Sequence, residues 1–87
     1  SKLFLSPTAV SLRFGICEWN SDLCMIQKKL SERADAVYYL ADSSKLETKA
    51  LIKIDDVSEN SQIITDTGLS DEIRRLYTQN GVKIITQ

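Results

Sequence analysis

The sequence predicts an α/β fold in which helices pack against a parallel sheet, and three observations predict it. Short apolar, β-rich runs alternate with segments of helical period. One run, Ala36-Val37-Tyr38-Tyr39-Leu40-Ala41, is almost continuously apolar, as strands buried on both faces of a parallel sheet are. Two runs end on acids, Asp42 and Asp66, at the strand ends where open parallel sheets place their ligands.

Taken in order, Lys2-Leu3-Phe4-Leu5 reads as a strand closed by Ser6-Pro7, because proline removes a ladder donor and biases its predecessor toward extended geometry. Thr8 to Asn20 has no sustained period and contains Gly15 and the single tryptophan, Trp19; it reads as a loop with a short helical or extended piece. Ser21 and Asp22 offer caps for a helix in which Leu23, Ile26, Leu30 and Ala34 recur at spacings of three and four, opposite Lys28, Lys29, Glu32 and Arg33. Asp35 ends it, and the strand from Ala36 follows. Beyond a loop from Asp42 to Lys49, Ala50-Leu51-Ile52-Lys53-Ile54 fits a strand or a short helix equally well. A polar connector from Asp55 to Ser61 leads into the strand Gln62-Ile63-Ile64-Thr65. Ser70 caps a second helix with Asp71 and Glu72 at the positive end of its dipole and Ile73, Leu76 and Tyr77 as a buried stripe. Asn80-Gly81 stops that helix in a left-handed cap before the last strand, Val82 to Thr86.

Eighty-seven residues, 43% hydrophobic and 26% charged, make one domain or a piece of one. A chain of this length buries only about 60–65% of its unfolded surface, so association or a larger surrounding domain is expected. The net charge of −1 comes from scattered lysines and arginines, which excludes an electrostatic footprint for nucleic acid. No apolar run approaches the roughly 18 residues that span a bilayer and no segment resembles a signal peptide, so a cytoplasmic chain without membrane partners is expected. The chain starts at Ser1 and its one methionine is Met25, which reads as a fragment of something longer. Cys17 and Cys24 match no zinc spacing and are expected as reduced packing residues. Histidine is absent, so neither a Ser-His-Asp nor a Cys-His nucleophile can be assembled.

The chemistry concentrates in Asp42-Ser43-Ser44-Lys45, which follows one strand, and in Asp66, which ends another. Carboxylates accept hydrogen bonds from sugar hydroxyls, and a lysine supplies a mobile positive charge for phosphate. The plain alternative is a solvated turn in which Asp42 bonds nearby backbone amides; Asp66-Thr67-Gly68 also suits a turn leading into the Ser70 cap. Trp19 is a candidate sugar-stacking ring or, more ordinarily, a core or interface anchor. Arg74 and Arg75 belong to a solvated face. Asp55, Asp56 and Glu59 match no calcium loop and are set aside.

Ala34-Asp35-Ala36-Val37-Tyr38-Tyr39-Leu40-Ala41-Asp42-Ser43-Ser44-Lys45, followed after a spacer by Ile63-Ile64-Thr65-Asp66, resembles the effector domain of DeoR-type bacterial transcriptional repressors. Lys28 to Ala34, Leu69-Ser70-Asp71-Glu72-Ile73 and Gly81-Val82-Lys83-Ile84-Ile85 extend the resemblance over nearly the whole chain. It implies a sensor domain related to sugar-phosphate isomerases, with residues 1–87 as its later half and a helix-turn-helix domain elsewhere in the protein carrying DNA binding. It also implies a sugar phosphate facing Asp42, Lys45, Ser43, Ser44 and Asp66, a homo-oligomer, and no catalysis, metal or cofactor. Leu46-Glu47 departs from the aromatic residue and glycine that usually follow the lysine, and Phe14-Gly15-Ile16-Cys17 places a thiol where a hydroxyl is usual. The same residues also suit a fragment of an isomerase or deaminase with Asp42 or Asp66 as base. A third expectation is an interaction module built on Trp19 and the Leu23 helix face.

Overall fold

A computed structural model describes residues 1–57 and 61–87. The connector expected from Asp55 to Ser61 therefore falls partly outside the described residues, Glu59 with it. The elements are β1 (Lys2–Leu5), β2 (Ala9–Ser11), β3 (Gly15–Glu18), α1 (Ser21–Arg33), β4 (Ala36–Leu40), a 3-10 turn (Ser43–Lys45), β5 (Ile52–Asp55), β6 (Gln62–Thr65), α2 (Asp71–Gln79) and β7 (Lys83–Thr86). The fold is α/β: β1, β4, β6 and β7 form a parallel sheet in the order β1-β4-β6-β7.

The second sheet is the main departure from expectation. β2, β3 and β5 pair antiparallel, so Thr8 to Asn20 holds two buried strands of a hairpin where a loop with one short helical or extended piece was expected, and Ile52–Asp55 resolves as a strand. The Ser11 hydroxyl accepts from the Phe14 N–H at 2.8 Å inside the hairpin turn. Gly15 closes that turn at φ +84°, the left-handed position a three-residue hairpin connection reserves for glycine. The two sheets share one core, in which Val10, Ile16 and Ile54 meet Leu5, Tyr39 and Ile63, with Cys24 from α1 and Tyr77 from α2 closing it. Both cysteines are buried and unpaired, as expected.

Both helices form where the period predicts. The cap of α1 is Asn20, whose Oδ1 accepts from the Leu23 N–H at 3.0 Å, and Ser21 and Asp22 occupy the first turn. Its buried face holds Cys24 and Gln27, whereas Leu23, Ile26 and Leu30 are exposed. The helical period is met, but the residues that carry it are open rather than covered, because periodicity reports a stripe and not what covers it. In α2 Ser70 caps as predicted, accepting from the Ile73 N–H at 3.2 Å, and Tyr77 is fully buried while Leu76 stays exposed. Gly81 at φ +76° ends α2: its N–H donates to Thr78 O and the Val82 N–H donates to Tyr77 O, both at 3.0 Å, which is a Schellman motif.

Strand alternation divides the parallel sheet. Leu3, Leu5, Val37, Tyr39, Ile63 and Ile84 point toward the shared core. Phe4, Tyr38, Leu40, Ile64 and Ile85 occupy the other face, joined through the pairs Phe4–Tyr38, Leu40–Ile64 and Ile64–Ile85. The Phe4 and Tyr38 rings stack with centroids 5.0 Å apart, yet Phe4 remains 54% exposed. The two-sided burial expected for Ala36–Ala41 is thus met on one side only within this chain.

Candidate functional site

Parallel pairing of β4 with β6 brings their carboxyl ends side by side, and with them Asp42 and Asp66. The ladder runs on past the strands: the Ala41 N–H donates to Ile64 O at 3.1 Å and the Gln87 N–H to Thr65 O at 3.0 Å. Leu40, Ala41, Asp42, Ile64, Thr65, Asp66 and Gln87 line a recess of about 290 Å³ at this edge. Ser43, Ser44 and Lys45 lie on the adjoining 3-10 turn, outside that lining.

Both carboxylates serve the local backbone. Asp42 caps the 3-10 turn, its Oδ1 accepting from the Ser44 N–H at 3.1 Å and from the Ser44 hydroxyl, while the Lys45 ammonium lies 3.8 Å from its Oδ2. Asp66 bridges two loops: Oδ2 accepts from the Ser43 N–H at 3.0 Å and Oδ1 from the Gly68 N–H at 2.8 Å. Donation by the Ser43 amide, then by the Ser43 hydroxyl and the Gly68 amide, holds the Asp66 carboxyl below the usual carboxylate range. The turn readings of Asp42 and Asp66 describe these bonds, and the same bonds assemble all five candidate residues at one edge. A recess between two anchored carboxylates suits hydroxyl-rich ligands, and Lys45, half-buried and paired only at long range, supplies positive charge beside it.

Thr65 is a recess residue that the sequence reading did not single out. It is 5% exposed, it lines the recess, and its Oγ1 has no hydrogen-bond partner. Buried hydroxyls normally have one, and the signal was its place between Ile64 and Asp66 at a strand end. Trp19 is 60% exposed at the start of α1, away from the core, and it is absent from the recess lining. Arg75 is exposed and Arg74 half-buried on α2.

A larger recess, about 530 Å³, opens at the opposite end of the sheet between Ala36, Val37, Gln62 and the end of α1. Glu32, Asp35 and Asp55 line it, so it repels anions, and size alone does not make it the better candidate. Burial, with Asp55 close by, pushes the Tyr39 phenol on its wall up to about 12. On the far side of the candidate loop the Glu47 carboxylate accepts from the Leu12 N–H at 3.1 Å and from the Tyr77 hydroxyl at 2.7 Å, with Glu47 at φ +62°. The departure from pattern at Leu46-Glu47 therefore has a structure: Leu46 is buried and bridges to Val10.

Residues 1–67 match the model of the DeoR C terminal sensor domain. The HTH-type transcriptional regulator IolR of Bacillus subtilis is 38% identical over 81 residues, covering 91% of this chain and 30% of that protein. The L-fucose operon activator of Haemophilus influenzae is 30% identical over 80 residues, covering 92% of this chain and 32% of that protein. The HTH-type transcriptional regulator GlpR of Haloferax volcanii is 28% identical over 83 residues, covering 95% and 32%. The chain thus spans about a third of the length of the curated relatives it matches. No solved structure matches it.

Proposed function

The chain belongs to the DeoR C terminal sensor domain family, and from that premise we propose that it is the effector-binding part of a sugar-metabolism repressor that senses a phosphorylated sugar. The observation that carries this reading is the recess at the carboxyl ends of β4 and β6, where Asp42 and Asp66 meet with Lys45 alongside. In this reading the carboxylates take sugar hydroxyls, and Lys45 leaves Asp42 for the phosphate, with Ser43 and Ser44 shaping the turn. Residues 1–87 are the later half of an isomerase-like sensor domain in a cytoplasmic homo-oligomer, and a helix-turn-helix domain elsewhere in the protein holds DNA. Effector shifts DNA affinity only to the extent that it binds one subunit arrangement better than the other.

Binding is favoured over catalysis by the state of Asp66. A carboxylate held below its usual range by amide donors is a weak general base, and Asp66 is so held. The isomerase alternative needs one of these two acids to accept a proton from carbon.

The test is thermal stability of the full-length protein with a panel of pentose, hexose and amino-sugar phosphates and their unphosphorylated counterparts. A ligand at about 100 times its Kd adds roughly 2.7 kcal/mol. The expected result is a shift with one sugar phosphate, lost in Lys45→Ala. No shift with any sugar phosphate sinks the reading, and turnover of one of them establishes the enzyme instead.

A further inference from the structure

We infer that Glu47 is a positioning residue, a clamp that ties the loop carrying Lys45 to helix α2 and to the β2–β3 hairpin and so sets how Lys45 is presented to an anion. The ligand rests on the reading above; the clamp rests on geometry. Glu47 lies two residues past Lys45 with φ at +62°, a region that disfavours any residue bearing a Cβ. Its surroundings hold it there. The Glu47 and Thr48 N–H groups both donate to Val10 O, and the Thr48 hydroxyl donates back to Lys45 O at 2.7 Å. One oxygen, Glu47 Oε2, then accepts from the Leu12 N–H and from the Tyr77 hydroxyl.

The Tyr77 side is what makes this a clamp rather than a surface contact. Tyr77 is fully buried, and its hydroxyl otherwise has only Val10 O, at 3.5 Å. Removing the carboxylate leaves a buried donor poorly satisfied, so the bond is expensive to break. Residues 10–12, 45–48 and 77, far apart in sequence, meet at Glu47, its carboxylate joining Leu12 to Tyr77 while its backbone and that of Thr48 hold Val10. Lys45, with a flexible four-carbon stem, has its backbone fixed at the carbonyl that Thr48 grips.

The experiment is amide hydrogen exchange and sugar-phosphate affinity on the full-length protein as wild type, Tyr77→Phe, Glu47→Gly and Glu47→Gln. Tyr77→Phe keeps the buried ring and removes the donor. Glu47→Gly removes the carboxylate while relieving the backbone, and Glu47→Gln retains an acceptor oxygen and serves as the rescue. Exchange at Glu47 and Thr48 should rise about tenfold more than exchange in β6 for the first two variants, and stay near wild type in Glu47→Gln. The Kd for the sugar phosphate found in the thermal panel should weaken by about tenfold in the same two variants, since a 1.4 kcal/mol loss is tenfold. Exchange that rises equally in β6, or an unchanged Kd with accelerated loop exchange, overturns the positioning role. If the wild type binds nothing in the panel, the functional reading fails, and the exchange data alone decide the clamp.

Discussion

Replacing Gly15 by alanine should be among the most damaging single-methyl changes in the chain. Gly15 sits at φ +84°, and placing a Cβ there costs about 1–2 kcal/mol from the left-handed backbone alone. The new atom would also lie 2.4 Å from the Asp55 carbonyl oxygen and 3.3 Å from its carbonyl carbon. Both belong to the backbone of β5, so no rotamer change relieves the overlap, and the β3–β5 pairing must open. Losing one ladder bond adds about 1 kcal/mol, for a total of roughly 2–3 kcal/mol. A domain of this size has about 4–13 kcal/mol in all. Urea titration followed by circular dichroism should show a midpoint lower by about 1–2 M at an unchanged slope. Gly81→Ala is the internal control, since its φ of +76° carries the same backbone strain. A Gly15→Ala loss no larger than that of Gly81→Ala would refute the close approach to β5.

Three further outcomes are expected. Gly81→Ala should itself cost about 1–2 kcal/mol by straining the Schellman cap, and each kcal/mol lowers Tm by about 4–8 °C in a domain of this size. Ile63→Ala, at a fully buried position in the middle of the parallel sheet, should cost about 2–5 kcal/mol in the same urea titration. The Asp66 carboxyl has a folded pKa below its unfolded value of about 3.9, so its stabilisation is complete above that pH and disappears as pH falls through the lowered folded value. NMR titration should place that carboxyl below its ordinary range, and in Asp66→Asn the corresponding acid-limb slope of stability against pH should vanish.

Most of the parallel sheet was legible because each strand is a compact apolar run bounded by Pro7, Asp42, Asp66 or Gly81, and both helices carry a period or a cap. The antiparallel sheet was not. Its strands are three or four residues long, and although β2 and β3 form a local hairpin, the pairing that builds the sheet joins β3 to β5 more than 30 positions later, which nothing local in Thr8–Asn20 announces. Leu23, Ile26 and Leu30 were legible as one stripe, but hydrophobic spacing carries no information about what covers it, and the structure leaves all three exposed. At the candidate site the residues and their local turn bonds were legible, Asp42 to Ser44 and Asp66 to Gly68. The bond from the Ser43 N–H to Asp66, which joins the two loops, spans 23 residues and was not. Glu47 was noticed as a break in pattern, and its left-handed backbone and its bond to Tyr77 depend on contacts 30 residues apart.

The strand order β1-β4-β6-β7 has a consequence of handedness. The order advances in one direction without reversing, and crossovers between parallel strands are right-handed in about 98% of cases. Three successive right-handed crossovers in one direction all pass over the same side of the sheet, which is where α1, α2 and the antiparallel strands meet the core. The side bearing Phe4, Tyr38, Leu40, Ile64 and Ile85 is the one that none of the described helices or antiparallel strands packs against. Parallel sheets ordinarily have both faces covered, so these five residues, with Leu40 and Ile64 on the wall of the recess, make that wall part of an apolar face that the described residues leave open.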